Sequence, residues 1–249
     1  MPEISPSSAP NALFYSIIVP AHNEERNIAR TLRALAGALH GAAIPFEIVA
    51  VNDNSSDGTA QAVETLREEI AELRLVHNAP PPGLGRAIRC GLEHFRGDAV
   101  AIVMADCSDS PDDVVACYRK LEEGYDCVFG SRFLPGSRVT DYPPVKLACN
   151  RLGNRLIQAL FGTRHNDLTN AFKAYRRHVI EDISPVRSDH FDITVELSLS
   201  ALTRGHAIAA MPISWTGRTW GQSKLRLREM ALRYLTTILR IRFGPSARG

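Results

Sequence analysis

Hydrophobic and polar positions fall into blocks with two different periods. "FYSIIVP" (residues 14–20) and "FEIVAV" (46–51) are nearly unbroken apolar runs rich in β-branched and aromatic residues, as expected of strands covered on both faces. Between them, Ile28, Leu32, Leu35 and Leu39 recur at helical spacing in the segment from Glu24 to Leu39. The order then repeats. A helix over about Thr59 to Ala71 leads to "LRLVHN", one over about Gly85 to Phe95 leads to "AVAIVM", and one over about Pro111 to Glu123 leads to "CVFGS". This alternation predicts an α/β fold with a Rossmann-like, mainly parallel sheet and helices on both faces, and core packing accounts for the apolar stripes.

Beyond Arg132 the pattern changes to a loop, "FLPGSRVTDYPP", and then a helix from about Val145 to Leu160. The remainder holds a strand in "AIAAMPISW", a loop "TGRTWGQSK" and a final helix from about Leu227. No internal repeat and no linker long enough to separate two domains interrupts the chain. The expected organisation is one domain over 14–243, flanked by a disordered tail at 1–13 and a short tail at 244–249.

Composition narrows the function classes. With 249 residues, 45% hydrophobic and 22% charged, the chain can bury one large α/β core. A formal net charge of +2 gives no case for a nucleic-acid partner, for which a pronounced basic face is expected. The cysteines Cys90, Cys107, Cys117, Cys127 and Cys149 are odd in number and contain no Cys-x-x-Cys pair, which argues for reduced thiols in a cytoplasmic protein. The start "MPEISPSSAPNAL" lacks the basic and apolar regions of a signal peptide, and no apolar run approaches the roughly 18 residues of a membrane span. Any membrane contact is therefore expected to be peripheral, on the cytoplasmic face.

The candidate chemistry sits at strand ends. "VPAHNEE" (19–25), "VNDNSSDGT" (51–59) and "MADCSD" (104–109) each follow an apolar run, and in a parallel sheet all three lie on one edge, where open α/β sheets bind ligands. Asp53 can accept hydrogen bonds from a nucleobase edge, and carboxylates near 106 can hold a hard cation together with phosphate oxygens. The bland alternative for Asp109 or Ser110 is a cap on the helix beginning at Pro111. "PPPGLGRAI" places Ile88 where a dinucleotide fingerprint needs its third glycine and has no Walker lysine, so its glycines are read as a tight loop beside the ligand.

The three clusters, followed in order by "GLGRAIRCGL", "GSRF", "DLTNAFKAY" and "GRTWGQSK", resemble family 2 glycosyltransferases of the GT-A fold. The likeness runs from about Tyr15 to Phe243 and is strongest to dolichol-phosphate mannosyltransferases and their bacterial polyprenyl-phosphate relatives. It implies an inverting hexosyltransferase that uses a nucleotide-sugar donor (GDP- or UDP-hexose), Mg²⁺ or Mn²⁺, and a polyprenyl phosphate acceptor. By the same resemblance, Pro20, Ala21, Glu24, Asp53 and Ala105 line the donor pocket, and Asp106 matches the last acid of the Asp-x-Asp motif that holds the metal on the diphosphate. Arg218 and Lys224 match basic residues that close over that diphosphate and act with Asp106 in catalysis, while Arg132 and Lys146 match the positions that hold the acceptor's phosphate.

One departure qualifies this. The first acid of the motif is Met104, and a thioether is too soft to replace a carboxylate on Mg²⁺. Three readings stay open: the metal relies on Asp106 with water and phosphate oxygens, Asp109 swings in, or the site is degenerate and the chain is a nucleotide-binding subunit. A hydroxyl acceptor in a polysaccharide or secondary-metabolite pathway would need a base, for which Asp167, Asp192 and Glu196 are candidates. In the last helix Leu227, Met230, Tyr234, Leu235, Ile238 and Ile241 approximate one apolar face, with Arg226, Arg233 and Arg240 on another. Such a face can lie on lipid headgroups, dock a membrane-spanning partner, or simply pack on the core.

Overall fold

The computed structural model describes residues 12–217 and 227–244. The chain threads β1 (Tyr15–Ala21), α1 (Ile28–Gly41), β2 (Phe46–Asn52), α2 (Thr59–Leu66), β3 (Leu73–His77), α3 (Leu84–His94), β4 (Ala99–Ile102), α4 (Pro111–Glu122) and β5 (Cys127–Ser131). It continues through β6 (Arg138–Thr140), α5 (Pro144–Phe161), β7 (Lys173–Arg176), α6 (Arg177–Ile183), α7 (Ile193–Thr203), β8 (Ile208–Pro212), β9 (Ser214–Thr216) and α8 (Leu227–Phe243). Seven strands form one sheet in the order β3-β2-β1-β4-β7-β5-β8, and β6 pairs with β9 in a small second sheet. Only β7 runs antiparallel within the large sheet. The Rossmann-like, mainly parallel arrangement expected from the sequence is what the chain adopts.

The unbroken apolar runs follow from a sheet buried on both faces. Ile17 and Val19 of β1 and Ile48 and Ala50 of β2 belong to one core with α1, α2 and α4. Their neighbours Ile18, Val49 and Val51 face a second core built with α3, α6, α7 and α8. Gly85 lets α3 approach the segment before α7, since a Cβ there would lie 2.3 Å from the Ser188 carbonyl oxygen.

Several expectations shift locally. The helix expected to reach Ala71 ends at Leu66, and "AIAAMPISW" divides at Ile213 into β8 of the large sheet and β9 of the small one. β6 lies within the segment read as a loop, and β7 with α6 is an addition the sequence pattern did not separate. The last helix differs in orientation from the single apolar face read for it. Tyr234, Ile238 and Ile241 pack against the second core, whereas Leu232, Leu235, Leu239 and Phe243 form an outward apolar row. The expected tails lie largely outside the described residues.

Candidate active site

The carboxyl ends of β1, β2, β4 and β5 open on one cavity of about 690 Å³. Pro20, Ala21 and Glu24 reach it from the end of β1, Asp53 from β2, Ala105, Asp106 and Asp109 from β4, Arg132 from β5 and Lys146 from α5. Residues far apart in sequence thus meet where the parallel strands end. Arg218 and Lys224, like Trp220, lie outside the described residues.

Backbone strain concentrates at the same edge. Among the described non-glycine residues with positive φ, Asn23, Asn54, Cys107 and Asp141 each follow a strand that ends here. Asn and Asp tolerate this conformation, but a cysteine gains nothing from it locally. Cys107, at φ 59°, is held by its surroundings, with Sγ 3.1 Å from Thr31 Oγ1. That turn brings the Ser108 N–H back onto Asp106 Oδ1 at 3.2 Å.

The acids after β4 do not cap α4. Ser110 stands at the N-cap without a side-chain cap bond, and Asp109 Oδ2 instead accepts the Met104 N–H at 3.0 Å. Burial raises the Asp109 carboxyl to about 7, with the nearby Asp106 charge adding to the shift. Met104 lines the same cavity as these acids. Mg²⁺ and Mn²⁺ favour oxygen, so the buried Asp106 carboxylate suits either ion and the Met104 thioether does not.

On the β2 side, Asp53 is buried and already engaged. Its Oδ1 accepts from Asn78 Nδ2 at 2.7 Å and its Oδ2 from the Gly83 N–H at 2.8 Å, which ties the "PPPGLG" loop to the strand end. His22 Nδ1 donates to the Asp53 carbonyl oxygen at 2.6 Å. Glu24 accepts from Asn27 Nδ2 at 2.8 Å, and its own N–H reaches Thr59 Oγ1 at 2.8 Å. Carboxylates in such networks are fixed in orientation and retain lone pairs for a ligand.

The residues named from β5 and α5 are basic. Arg132 makes a two-pronged pair with Asp167, Nε to Oδ2 at 2.8 Å and Nη2 to Oδ1 at 2.7 Å, while Nη1 donates to the Tyr142 hydroxyl at 3.3 Å. Burial works against the Arg132 charge, and the Asp167 carboxylate more than restores it. Tyr142 and Trp215 meet edge-to-face at 4.9 Å, and the guanidinium lies 5.4 Å from the Tyr142 ring centre. Lys146 Nζ stands 5.8 Å from the same ring. Lys173 is buried and donates to the Leu168 and Asn170 carbonyls, and burial lowers its ammonium to about 7.

Two of the three carboxylates considered as bases are committed elsewhere. Asp167 is paired with Arg132; Glu196 accepts the Arg187 and Ser188 N–H groups at 3.0 and 2.7 Å and pairs with Arg240 at 2.9 Å. Asp192 is buried; its Oδ2 accepts from Thr237 Oγ1 at 3.0 Å, while its Oδ1 has no hydrogen-bond partner among the described residues. Sequence reasoning missed the aromatic contribution: Phe191 and Tyr234 line the cavity, the latter from the core-facing side of α8, with its phenol pushed by burial up to about 12. "DLTNAFKAY" carries part of the family resemblance, but the sequence alone does not show that Thr169, Asn170 and Ala171 line one pocket with Phe191.

The model of the family described as "Glycosyl transferase family 2" matches residues 16–184, which hold every strand of the sheet bordering the cavity except β8. The chain belongs to this family. A polyprenol monophosphomannose synthase of Mycolicibacterium smegmatis is 32% identical over 215 residues, covering 84% of this chain and 80% of that protein. An undecaprenyl-phosphate mannosyltransferase of Micrococcus luteus is 28% identical over 215 residues, covering 84% of this chain and 86% of that protein. Among solved structures, glucosyl-3-phosphoglycerate synthase from Mycobacterium tuberculosis, in complex with Mn²⁺, UDP-glucose and phosphoglyceric acid, aligns at a TM-score of 0.70 and 19% identity. That alignment covers 94% of this chain and 81% of the other, and supports the fold of this glycosyltransferase.

Proposed function

We propose that this glycosyltransferase moves a hexose, mannose or glucose, from a GDP- or UDP-sugar to a polyprenyl phosphate with inversion at the anomeric carbon. The observation that carries the reading is the cavity's polarity. Asp106 lines it from the turn after β4, and Arg132 and Lys146 line it from the end of β5 and from α5, so an anion held by these cations and a cation held by Asp106 share one cavity. The names of the two relatives, both polyprenyl-phosphate mannosyl transfer proteins, support the same acceptor class.

A phosphate monoester has a second pKa of about 6, so at neutral pH it attacks as a dianion and needs no protein base. Asp167 and Glu196, tied to guanidinium and amide groups, are arranged for positioning. In the proposed reaction Arg132 and Lys146 orient the acceptor phosphate, one of whose oxygens bonds to the anomeric carbon as the bond to the donor diphosphate breaks. Asp106 would hold Mg²⁺ or Mn²⁺, which when bound supplies positive charge for the departing diphosphate. Arg218 and Lys224 are proposed to add to that charge.

The test is turnover of GDP- and UDP-hexoses with Mn²⁺ or Mg²⁺, with and without a short polyprenyl phosphate, with Asp106→Ala as control. Transfer to the lipid phosphate that is lost in Asp106→Ala is the expected result. Transfer only to a soluble hydroxyl acceptor, or donor binding without turnover in any combination, would refute the lipid-phosphate reading.

A further inference from the structure

At the end of the sheet opposite the cavity, three Lewis-basic side chains converge. Asp126 immediately precedes β5, His178 lies in the first turn of α6, and His206 stands just before β8. One ligand atom from each falls within 4.8 Å of the others, the only such trio of His, Cys, Asp or Glu among the described residues. His178 Nε2 is 3.1 Å from Asp126 Oδ1, and His206 Nδ1 is 3.9 Å from Asp126 Oδ2.

The second distance is informative. His206 Nε2 lies 2.8 Å from Asp182 Oδ2, and a carboxylate can only accept, so this nitrogen carries the proton. In the neutral ring Nδ1 then presents a lone pair toward Asp126, too far for a hydrogen bond and with no proton to give. A carboxylate that orients a histidine through its remote nitrogen is the usual outer partner of a metal-binding imidazole. Around a tetrahedral Zn²⁺ with bonds of about 2.0–2.1 Å, neighbouring ligand atoms stand about 3.4 Å apart; here Asp126 faces His178 through Oδ1 at 3.1 Å and His206 through Oδ2 at 3.9 Å, one carboxylate oxygen toward each ring.

The backbone is also fixed. The Asp126 N–H donates to the Ala207 carbonyl at 2.9 Å, the Arg176 N–H donates to the Asp126 carbonyl at 2.8 Å, and Asp126 Oδ2 accepts the Ala207 N–H at 2.8 Å. Arg204 holds the other oxygen of Asp182 at 3.0 Å, so the two carboxylates and this guanidinium leave a net negative charge around the histidines. The His178 side chain is 55% exposed, which leaves a path for an ion and a place for a water as fourth ligand.

We propose that Asp126, His178 and His206 form a structural site for a transition metal of the zinc class, oriented by Asp182 and separate from the donor cavity. Two imidazoles and one carboxylate suit Zn²⁺ or Co²⁺ over Mg²⁺, which takes oxygen donors. The bound ion ties the entries of β5, α6 and β8 together. It acts on stability, with no role in sugar transfer.

The test uses the full chain stripped with chelator and titrated calorimetrically with Zn²⁺ in excess Mg²⁺, then with Co²⁺ while its visible spectrum is recorded. One equivalent is expected to bind, with a tetrahedral cobalt spectrum free of thiolate charge-transfer bands. At free Zn²⁺ 100-fold above Kd the melting temperature is expected to rise by about 5–10 °C. His178→Ala, tolerable at an exposed position, and His206→Ala are expected to abolish that equivalent. Asp182→Asn is expected to weaken it about 10- to 100-fold, and Asp106→Ala to leave it unchanged. Absence of stoichiometric binding to the folded wild type would overturn the proposal. So would binding that persists in folded His178→Ala, binding lost in Asp106→Ala, or a cobalt spectrum showing thiolate ligation.

Discussion

Met104 is the residue at which the donor edge departs from an oxygen-lined cation site. The residue lines the cavity that Asp106 also lines, while its backbone N–H is fixed on Asp109 at 3.0 Å. A substitution that keeps the backbone therefore changes the lining without disturbing the turn. Met104→Asp adds a second hard donor two residues from Asp106, and the mutual repulsion of the two acids makes a divalent cation more welcome there. Mn²⁺ affinity, measured by titration calorimetry in the presence of nucleoside diphosphate, is expected to tighten at least tenfold, about 1.4 kcal/mol. An unchanged Kd in a protein with unaltered circular dichroism would show that position 104 does not look onto the cation. Asp109 contributes differently: burial and Asp106 raise its carboxyl to about 7, and one oxygen is spent on the main chain.

At the scale of elements, the segment from Asp167 to Ala171 is the structure behind the basic wall. Arg132 and Asp167 lie 35 residues apart in the chain, and their pair is nearly inaccessible, with side-chain exposures of 7% and 0%. Removing one partner of such a pair leaves the other charge buried without compensation, which costs about 3–5 kcal/mol. Asp167→Ala is expected to lose that much stability in urea unfolding, and a second substitution, Arg132→Met, to recover part of it. A loss below about 1 kcal/mol would mean that water or Tyr142 satisfies the guanidinium. Little of this was legible beforehand. The long runs at β1 and β2 and the helical spacing of Ile28, Leu32, Leu35 and Leu39 fixed their elements, because burial on two faces or one stripe leaves a periodic mark. β7 spans only Lys173–Arg176 and β9 only Ser214–Thr216, too short for any period, and the antiparallel insertion of β7 between β4 and β5 comes from tertiary pairing. The site was legible to the extent that its residues end strands. The commitment of Asp53 to Asn78 and Gly83 was not, since those partners come from a loop with no local signature.

For the whole molecule, the question is how a protein in which no described helix is long and apolar enough to cross a membrane would meet the lipid acceptor proposed for it. The arrangement of α5 and α8 supplies an answer. Both helices bury one side in the second core through Ile157, Phe161, Tyr234, Ile238 and Ile241, and Arg242 Nε donates to the Leu160 carbonyl at 3.2 Å where their ends meet. On their outer sides stand Val145, Leu152, Leu156, Leu160, Leu232, Leu235, Leu239 and Phe243, with exposures from 36% at Leu160 to 69% at Phe243. Scattered exposed leucines need no explanation, but exposed apolar rows on two helices that bury their other sides in one core are the feature expected of an interaction surface. Lys146, Arg151 and Arg155 on α5 come without any acid in that helix, and Arg233 and Arg242 follow on α8, where Arg240 is paired with Glu196. Lys146 also lines the cavity, so the patch and the proposed acceptor wall share one helix. An apolar row rimmed by cations suits an anionic bilayer surface, from which a polyprenyl phosphate can present its headgroup to Arg132. Leu152→Glu combined with Leu239→Glu removes apolar contact worth about 1.5–3 kcal/mol per leucine and adds two repelled charges. Cosedimentation with phosphatidylglycerol vesicles is therefore expected to fall at least tenfold, while melting temperature and transfer to a short, water-soluble prenyl phosphate stay as in the wild type. Undiminished sedimentation of that folded double variant would mean that the lipid acceptor is reached by another face.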